Sequence, residues 1–75
     1  MNYIIIEQQT TNGVTAVVTP IEQRADFNEA VSVWHGKCAV AAISAVAHHA
    51  VTLLNERGQT VEYKCYDHSE PVAEE

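Results

Sequence analysis

Two cysteines and two of the four histidines could bind a metal ion in this chain. Zinc prefers about four thiolate and imidazole ligands in tetrahedral geometry, and the candidates are Cys38, His49, Cys65 and His68. Cys65 and His68 have the spacing of half a zinc-binding motif, but the chain offers no second pair of that kind. Because free cysteine is also a common buried residue, the sequence favours core cysteines beside a hydrogen-bonded histidine. A zinc-stabilised domain using the four residues is the alternative.

No catalytic pair stands out in the sequence. Glu29, Ser32 and His35 would be neighbours on one helix face, but solvated helices commonly carry such residues. His49 and Cys65 could form a nucleophilic pair, yet no third group is recognisable that would orient the imidazole. The three glycines are far apart, so they form no phosphate-binding loop. We therefore expect no catalytic residues, no cofactor and a non-enzymatic protein.

Two β-hairpins and a helix are expected to position these side chains. Residues 2–10 and 14–19 are rich in strand-forming residues, and the Asn12-Gly13 pair between them is a hairpin signal. A two-residue loop and a three-residue loop give different registers. The three-residue loop separates apolar from polar residues better, so we predict that Ile6 pairs with Val18.

This register also assigns the two faces of the first hairpin. It places Ile6 and Gln8 on the buried face, although Gln8 is polar, and it places Ile5 and Glu7 on the opposite face. Partly apolar positions are then expected on the far side of the sheet, at Tyr3, Ile5, Val17 and Leu54.

A helix is predicted over residues 25–46. Asp26 is a suitable N-cap, and Glu29 three residues later can complete a capping box. An apolar stripe follows spacings of four and three residues: Phe27, Val31, Trp34, Cys38, Ala41 and Ala45. From residue 38 to residue 47 Ser44 is the one polar residue, so the second half of the helix is apolar on nearly every side. Such a helix needs cover on more than one face.

The second cover is predicted to be another copy of the chain. A domain this small buries only about 60% of its unfolded surface, so a partner subunit or a metal would stabilise it. Small residues on the polar side of the helix are either simply tolerated there or allow close approach of a second backbone. We therefore predict a self-associating interaction module, most simply a homodimer, alongside an unidentified protein partner. The expected interface residues are Gly36, Ala39, Ile43 and Val46.

Residues 48–55 and 59–66 are predicted as the second hairpin, joined by a turn at residues 55–58. The register that follows from this turn pairs His49 with Cys65 on the helix side. The predicted fold is therefore α+β with ββαββ topology. In it, two antiparallel hairpins form a four-stranded sheet, and one long helix packs on one face of that sheet.

The chain has 75 residues, which indicates one small domain, predicted over residues 1–68 with a disordered acidic tail at 69–75. Lys plus Arg is 4 and Asp plus Glu is 10, giving a net charge of −6. This balance argues against nucleic acid and anionic membranes as partners. The acidic residues are also too few for a protein that mimics the phosphates of DNA. No apolar run reaches the length of a membrane span. Few cysteines and no N-terminal signal favour a cytoplasmic location.

Short motifs along the chain are similar to those of a group of small proteins of comparable length. The motifs are Tyr3 to Glu7, Asn28-Glu29-Ala30, Trp34-His35, Ala41-Ala42, His49-Ala50, Leu53-Leu54, Gly58 and Cys65-Tyr66-Asp67-His68. Such proteins occur in phage and prophage regions of anaerobic gut bacteria and have no assigned activity. This chain departs from them at Ala47, where they often have proline, and at Gln8 and Lys37, where they tend to be apolar. The resemblance implies the ββαββ fold and a phage-associated setting, in the host cell or on the virion.

Overall fold

The computed structural model describes residues 1–68, so the tail predicted at 69–75 lies outside the described residues. One helix packs on one face of an antiparallel sheet, which confirms the α+β class. The elements are β1 (Tyr3–Thr11), β2 (Val14–Val17), β3 (Glu22–Arg24), α1 (Phe27–Ala42), β4 (His48–Asn55) and β5 (Thr60–Asp67). The sheet has five strands. The predicted four-stranded ββαββ topology is wrong in this detail, because the prediction does not include β3.

The two edges of the sheet differ. Its order is β2-β1-β4-β5, and β4 pairs with one side of β1 along residues 3–10. The other side of β1 is shared, with β3 on residues 3–5 and β2 on residues 8–11. Pro20, which lacks a backbone donor, lies between these two short strands. One edge is therefore split, whereas β5 forms a continuous edge of eight residues. The polar sequence of β3 has no apolar alternation, so periodicity does not reveal it.

The first hairpin has a two-residue loop, and the three-residue register is wrong. Gln8 pairs with Val17, and both loop residues have positive φ, 55° at Asn12 and 78° at Gly13. Asparagine and glycine tolerate this conformation, and its twist matches that of the flanking strands. The one-residue shift exchanges the faces of β1. Ile5 is consequently buried under the helix, with 1% of its surface exposed.

The second hairpin turns where predicted, but most of its register is shifted. The Asn55 side chain accepts hydrogen bonds from the backbone N–H groups of Arg57 and Gln59, which fixes the turn. Thr60 pairs with Leu54 as expected, after which one extra residue forms a β-bulge. Beyond the bulge His49 pairs with Tyr66 and Ala50 with Cys65, so the predicted His49–Cys65 pair is wrong.

The helix begins as predicted and ends early. The Asp26 carboxylate accepts a hydrogen bond from the Glu29 N–H at 3.0 Å, which confirms the N-cap. The helix stops at Ala42, four residues before the predicted end at 46. The Ser44 hydroxyl accepts a hydrogen bond from the Val46 N–H, a local contact that competes with helical hydrogen bonding. The chain then turns into β4.

The core lies between the inner face of α1 and the sheet. Seven apolar residues are buried there: Ile5, Ala30, Trp34, Cys38, Ala41, Val51 and Leu53. The indole N–H of Trp34 donates to the backbone oxygen of Val51 at 3.0 Å, which joins the middle of the helix to β4. The predicted helix-side position of His49 is confirmed, since this residue is 1% exposed.

Candidate functional site

The most prominent candidate surface is an apolar strip on the outer side of the helix. Gly36, Ala39, Val40 and Ile43 are all exposed, and we call them the outer helix stripe. They are spaced i, i+3, i+4 and i+7, so at 100° per residue they point away from the core. Val40 is 61% exposed and Ile43 is 86% exposed. An apolar strip of this spacing is the usual contact surface between two packed helices.

The predicted interface residues fall partly on this stripe. Gly36, Ala39 and Ile43 belong to it, and Ile43 is the C-cap residue of the helix. Val46 follows the end of α1 and is half-buried, so it does not continue the helical stripe. Val40 is the residue that the interface prediction omits, although its place four residues after Gly36 puts it on the same side.

The outer helix stripe carries no charge. Between Ala30 and Ala47 the single charged residue is Lys37, and its ammonium lies 3.6 Å from the Glu7 carboxylate on β1. A Cβ atom built at Gly36 meets nothing within 4 Å, so the stripe is open at its smallest residue. The surface can therefore approach another apolar surface closely and without burying a charge.

Glu7, Lys37 and His49 form a cluster between the sheet and the helix. Glu7 Oε2 lies 2.5 Å from His49 Nε2, and Lys37 Nζ approaches the other carboxylate oxygen. The side chain of His49 is 2% exposed and that of Glu7 is 12% exposed. The predicted far-side position of Glu7 is thus wrong, and its two cationic or hydrogen-bonding partners explain how a carboxylate is accommodated under the helix.

The second ring nitrogen of His49 has no partner. Nδ1 is buried and makes no hydrogen bond among the described residues, whereas Nε2–H donates to the carboxylate. A neutral ring leaves one acceptor unsatisfied in this arrangement, which costs about 1–3 kcal/mol. No ligand pocket is found among residues 1–68, and the three side chains of the cluster come from β1, α1 and β4. The cluster therefore joins the helix to the sheet.

The two cysteines lie in different environments. Cys38 is buried on the helix, and burial raises the pKa of its thiol above 9.0, although the Lys64 ammonium offsets part of the rise. Cys65 is exposed, because its partner Ala50 places it on the sheet face away from the helix. It shares a hydrogen bond with Tyr63, which together with the charge of the Cys65 thiolate raises the pKa of the phenol above 10.0. The raised pKa keeps the Cys38 thiol protonated at neutral pH, which makes it a poor nucleophile.

The four predicted zinc ligands are not brought together. Cys38 and His49 lie between helix and sheet, and Cys65 lies on the opposite sheet face. His68 Nε2 is 3.0 Å from the backbone oxygen of Ala41. No group of three or more His, Cys, Asp or Glu side chains within residues 1–68 is arranged to hold a metal ion. The bulge in β5 separates Cys65 from His49, because it reverses the face that each later residue of the strand occupies.

The sheet face away from the helix is partly apolar. Ile4 and Leu54 pair there, with Ile6 beside them, and all three are half-buried. Val17 and Tyr63 at the margins are exposed. The predicted far-side positions are therefore correct for Val17 and Leu54 but wrong for Tyr3 and Ile5. Tyr3 instead contacts Phe27 at the start of the helix, with ring centres 5.5 Å apart.

Comparison with known proteins gives no match. No family model, no curated protein and no solved structure matches this chain. No helix within residues 1–68 combines the length and the apolar character that crossing a membrane requires. The candidate surfaces therefore rest on the physical properties described above.

Proposed function

We propose that this protein is a non-enzymatic interaction module that self-associates through the outer helix stripe. The observation that carries the proposal is the exposure of Val40 and Ile43 on the helix side opposite the core. Burying each of these side chains would contribute about 1.5–3 kcal/mol. An apolar helix face that stays in water forgoes this stabilisation, whereas a partner surface of the same shape provides it.

A second copy of the chain fits this surface because the contact would bring no like charges together. The chain has a net charge of −6, and acidic groups meeting at a two-fold interface would repel. The acidic residue of the helix, Glu29, lies in its first turn, away from the outer helix stripe. Gly36 and Ala39 allow two helix axes to approach to about 8 Å. The outer helix stripe is therefore self-complementary in charge and in size.

The small core gives a second reason for self-association. Seven buried apolar residues provide the interior of residues 1–68, and a domain of this size is marginally stable when it is alone. Pairing two helices adds apolar burial to both copies at once. It also makes the stability of the fold depend on protein concentration.

Sedimentation equilibrium at micromolar concentrations tests the proposal with Val40→Lys. We expect the wild-type chain to have an average mass above the 8.3 kDa of one copy. Val40 is 61% exposed, so lysine should leave the isolated fold intact while placing a charge in each half of the contact. Self-association should weaken by at least about tenfold.

Val14→Lys is the matched control, since Val14 is 69% exposed on β2 and lies outside the outer helix stripe. It introduces the same charge and should leave the average mass unchanged. A wild-type mass of one copy throughout the concentration range would refute the proposal. So would an equal effect of the two lysine substitutions.

The phage-associated setting is a further part of the proposal. It is supported by the sequence motifs that resemble phage and prophage proteins, such as Trp34-His35 and Cys65-Tyr66-Asp67-His68. In that setting a small self-associating module would act in host cytoplasm or on the virion. Co-purification of the chain with phage particles from an infected culture is the measurement that checks it.

A further inference from the structure

β5 is an edge strand of the sheet. It spans eight residues at one end of the sheet order, and no other strand of residues 1–68 covers its outer side. The strand contains neither proline nor glycine. The opposite edge is split between β2 and β3, with four and three residues. The outward-facing N–H and C=O groups of an edge strand are a template for pairing with another strand.

We propose that two copies of the chain pair antiparallel along β5, about a two-fold axis at Cys65. The result is one continuous sheet that passes through both copies, with both helices on the same side. This interaction goes beyond the proposed function, because it uses a different surface and does not depend on the outer helix stripe.

The position of the axis follows from the regular part of the strand. The bulge at Val61 interrupts the β4–β5 register, which then runs without a shift from Glu62 to Asp67. The His68 N–H continues the ladder by donating to the backbone oxygen of Ala47. The regular segment is therefore 62–68, and Cys65 is its midpoint. An axis there lets every residue of the segment pair with its counterpart in the second copy.

The cross-strand neighbours about this axis are compatible. Glu62 would lie opposite His68 of the second copy, and Lys64 opposite Tyr66, all on the helix side of the sheet. The Glu62 carboxylate forms no ion pair or hydrogen bond within residues 1–68, although its backbone pairs with Leu53. The Lys64 ammonium already lies 5.6 Å from the ring centre of its own Tyr66, so a tyrosine ring is a suitable neighbour. No two groups of like charge meet.

Other axis positions are less favourable. An axis at Lys64 would place the two Lys64 ammonium groups opposite each other, and an axis at Glu62 would do the same with two carboxylates. An axis at Tyr63 would form two Glu62–Lys64 ion pairs. It would, however, use just residues 62–64 before reaching the bulge, so fewer backbone hydrogen bonds would form. An axis at Cys65 gives the longest regularly paired segment of the two strands, and it places no two side chains of like charge opposite each other.

Disulfide trapping of the wild-type chain tests both the pairing and the axis. Directly opposite residues of an antiparallel pair have Cα atoms about 4.5–5.5 Å apart, within the range of a disulfide. Under a mild oxidant we expect rapid formation of a covalent dimer through Cys65. Cys65→Ser should abolish it and Cys38→Ala should not, because Cys38 is buried.

Two displaced cysteines provide the matched controls, each in a Cys65→Ser background. Tyr63→Cys would place the two thiols four residues apart along the paired strands, about 13 Å, which is beyond disulfide reach. Val14→Cys reports the rate of random collision from an exposed site. Faster trapping of Tyr63→Cys than of wild type would overturn the axis. Equal rates for all three chains would show that β5 is a protected edge and overturn the pairing.

A second measurement needs no oxidation and separates this proposal from the outer helix stripe. Cys65→Lys, made in the Val40→Lys background, would put two lysines opposite each other at the axis. We expect residual dimerisation of the Val40→Lys chain to weaken by at least about tenfold, while Cys65→Ser in the same background leaves it unchanged. Residual association that tolerates Cys65→Lys would refute β5 pairing, whatever the effect of Val40→Lys itself.

Discussion

Glu7 links three elements that are distant in the sequence. Its carboxylate is on β1 and contacts His49 on β4 and Lys37 on the helix. The contacts among these three residues cannot be predicted from the sequence. They form only when β1 has the correct register and the helix has the correct direction. In the sequence, Glu7 is a lone acidic residue directly after three isoleucines, and such a residue is expected to face solvent. The partnership reverses that interpretation.

Glu7→Leu should destabilise the fold by about 3 kcal/mol. Leucine removes the carboxylate but leaves His49 buried, now with both ring nitrogens unsatisfied. Urea denaturation at neutral pH measures the change in the free energy of unfolding. Glu7→Gln should cost less, about 1 kcal/mol, since the amide oxygen can still accept from Nε2–H.

The double variant Glu7→Leu with His49→Leu serves as the control. Replacing both partners with apolar side chains should recover most of the loss and leave the protein within about 1 kcal/mol of wild type. Lys37 can then turn to solvent, since its side chain is already 23% exposed. Losses that simply add up in the double variant would show that the two residues do not act as a pair.

Cys38 should make the fold weaker in alkali. Burial raises the pKa of its thiol above 9.0, so the folded state holds this proton more tightly than the unfolded state. The resulting stabilisation is complete below 9.0 and is lost as pH rises through the pKa of the folded state. The melting temperature in reductant, followed from neutral pH to about pH 10.5, should therefore converge with that of Cys38→Ala.

Tyr63 must be separated from this effect, because its pKa is raised too and its contribution has the same sign. The comparison is therefore repeated in a Tyr63→Phe background. A constant difference between the wild-type and Cys38→Ala melting temperatures across the range would contradict the assignment to Cys38.

At the scale of elements, local signals predict the ends of elements better than their registers. The Asp26 cap and the turn at Asn55 both depend on side chains that bond to nearby backbone, and both form as predicted. The first hairpin shows the opposite case. The sorting of polar from apolar residues predicts the three-residue loop, whereas the positive φ angles of Asn12 and Gly13 fix the two-residue loop. The two-residue turn places the polar Glu7 on the buried face. This register is tolerated because His49 and Lys37 contact the carboxylate there.

The bulge in β5 is the feature that the sequence conceals. Val61, Tyr63 and Cys65 alternate with polar residues as they would in an unbroken strand. One extra residue at Val61 nevertheless places Tyr63 and Cys65 on the face away from the helix. The predicted set of zinc ligands and the predicted His49–Cys65 pair both require an unbroken register. A strand whose alternation is regular therefore does not by itself reveal which face is buried.

Two glycines should respond in opposite directions to alanine. Gly13→Ala places a Cβ at a φ of 78° and should destabilise by about 1 kcal/mol. Gly36→Ala lies inside the helix with open space around it and should stabilise by a similar amount, about 1 kcal/mol. Thermal melting at low protein concentration should show shifts of about 5 °C of opposite sign. Destabilisation by Gly36→Ala would mean that the helix is packed more closely there than one copy shows.

At the scale of the whole molecule, one small core supports two different candidate contacts. The outer helix stripe lies above the sheet, and the β5 edge lies at its side, so one copy can use both at once. Each of the two proposed contacts would be a two-fold interaction with one other copy. Copies that use both would build either a closed tetramer or an extended chain, depending on the angle between the two axes. The mass distribution of wild type beside Val40→Lys and Cys65→Lys distinguishes these assemblies.

The split edge opposite β5 has a consequence for how far a shared sheet can grow. When two β5 strands join, both outer ends of the combined sheet consist of β2 and β3, interrupted by Pro20. A short, interrupted edge is a poor template for further strand addition. Sheet extension would therefore stop at two copies, and the chain carries its own protection against fibril formation of the cross-β type.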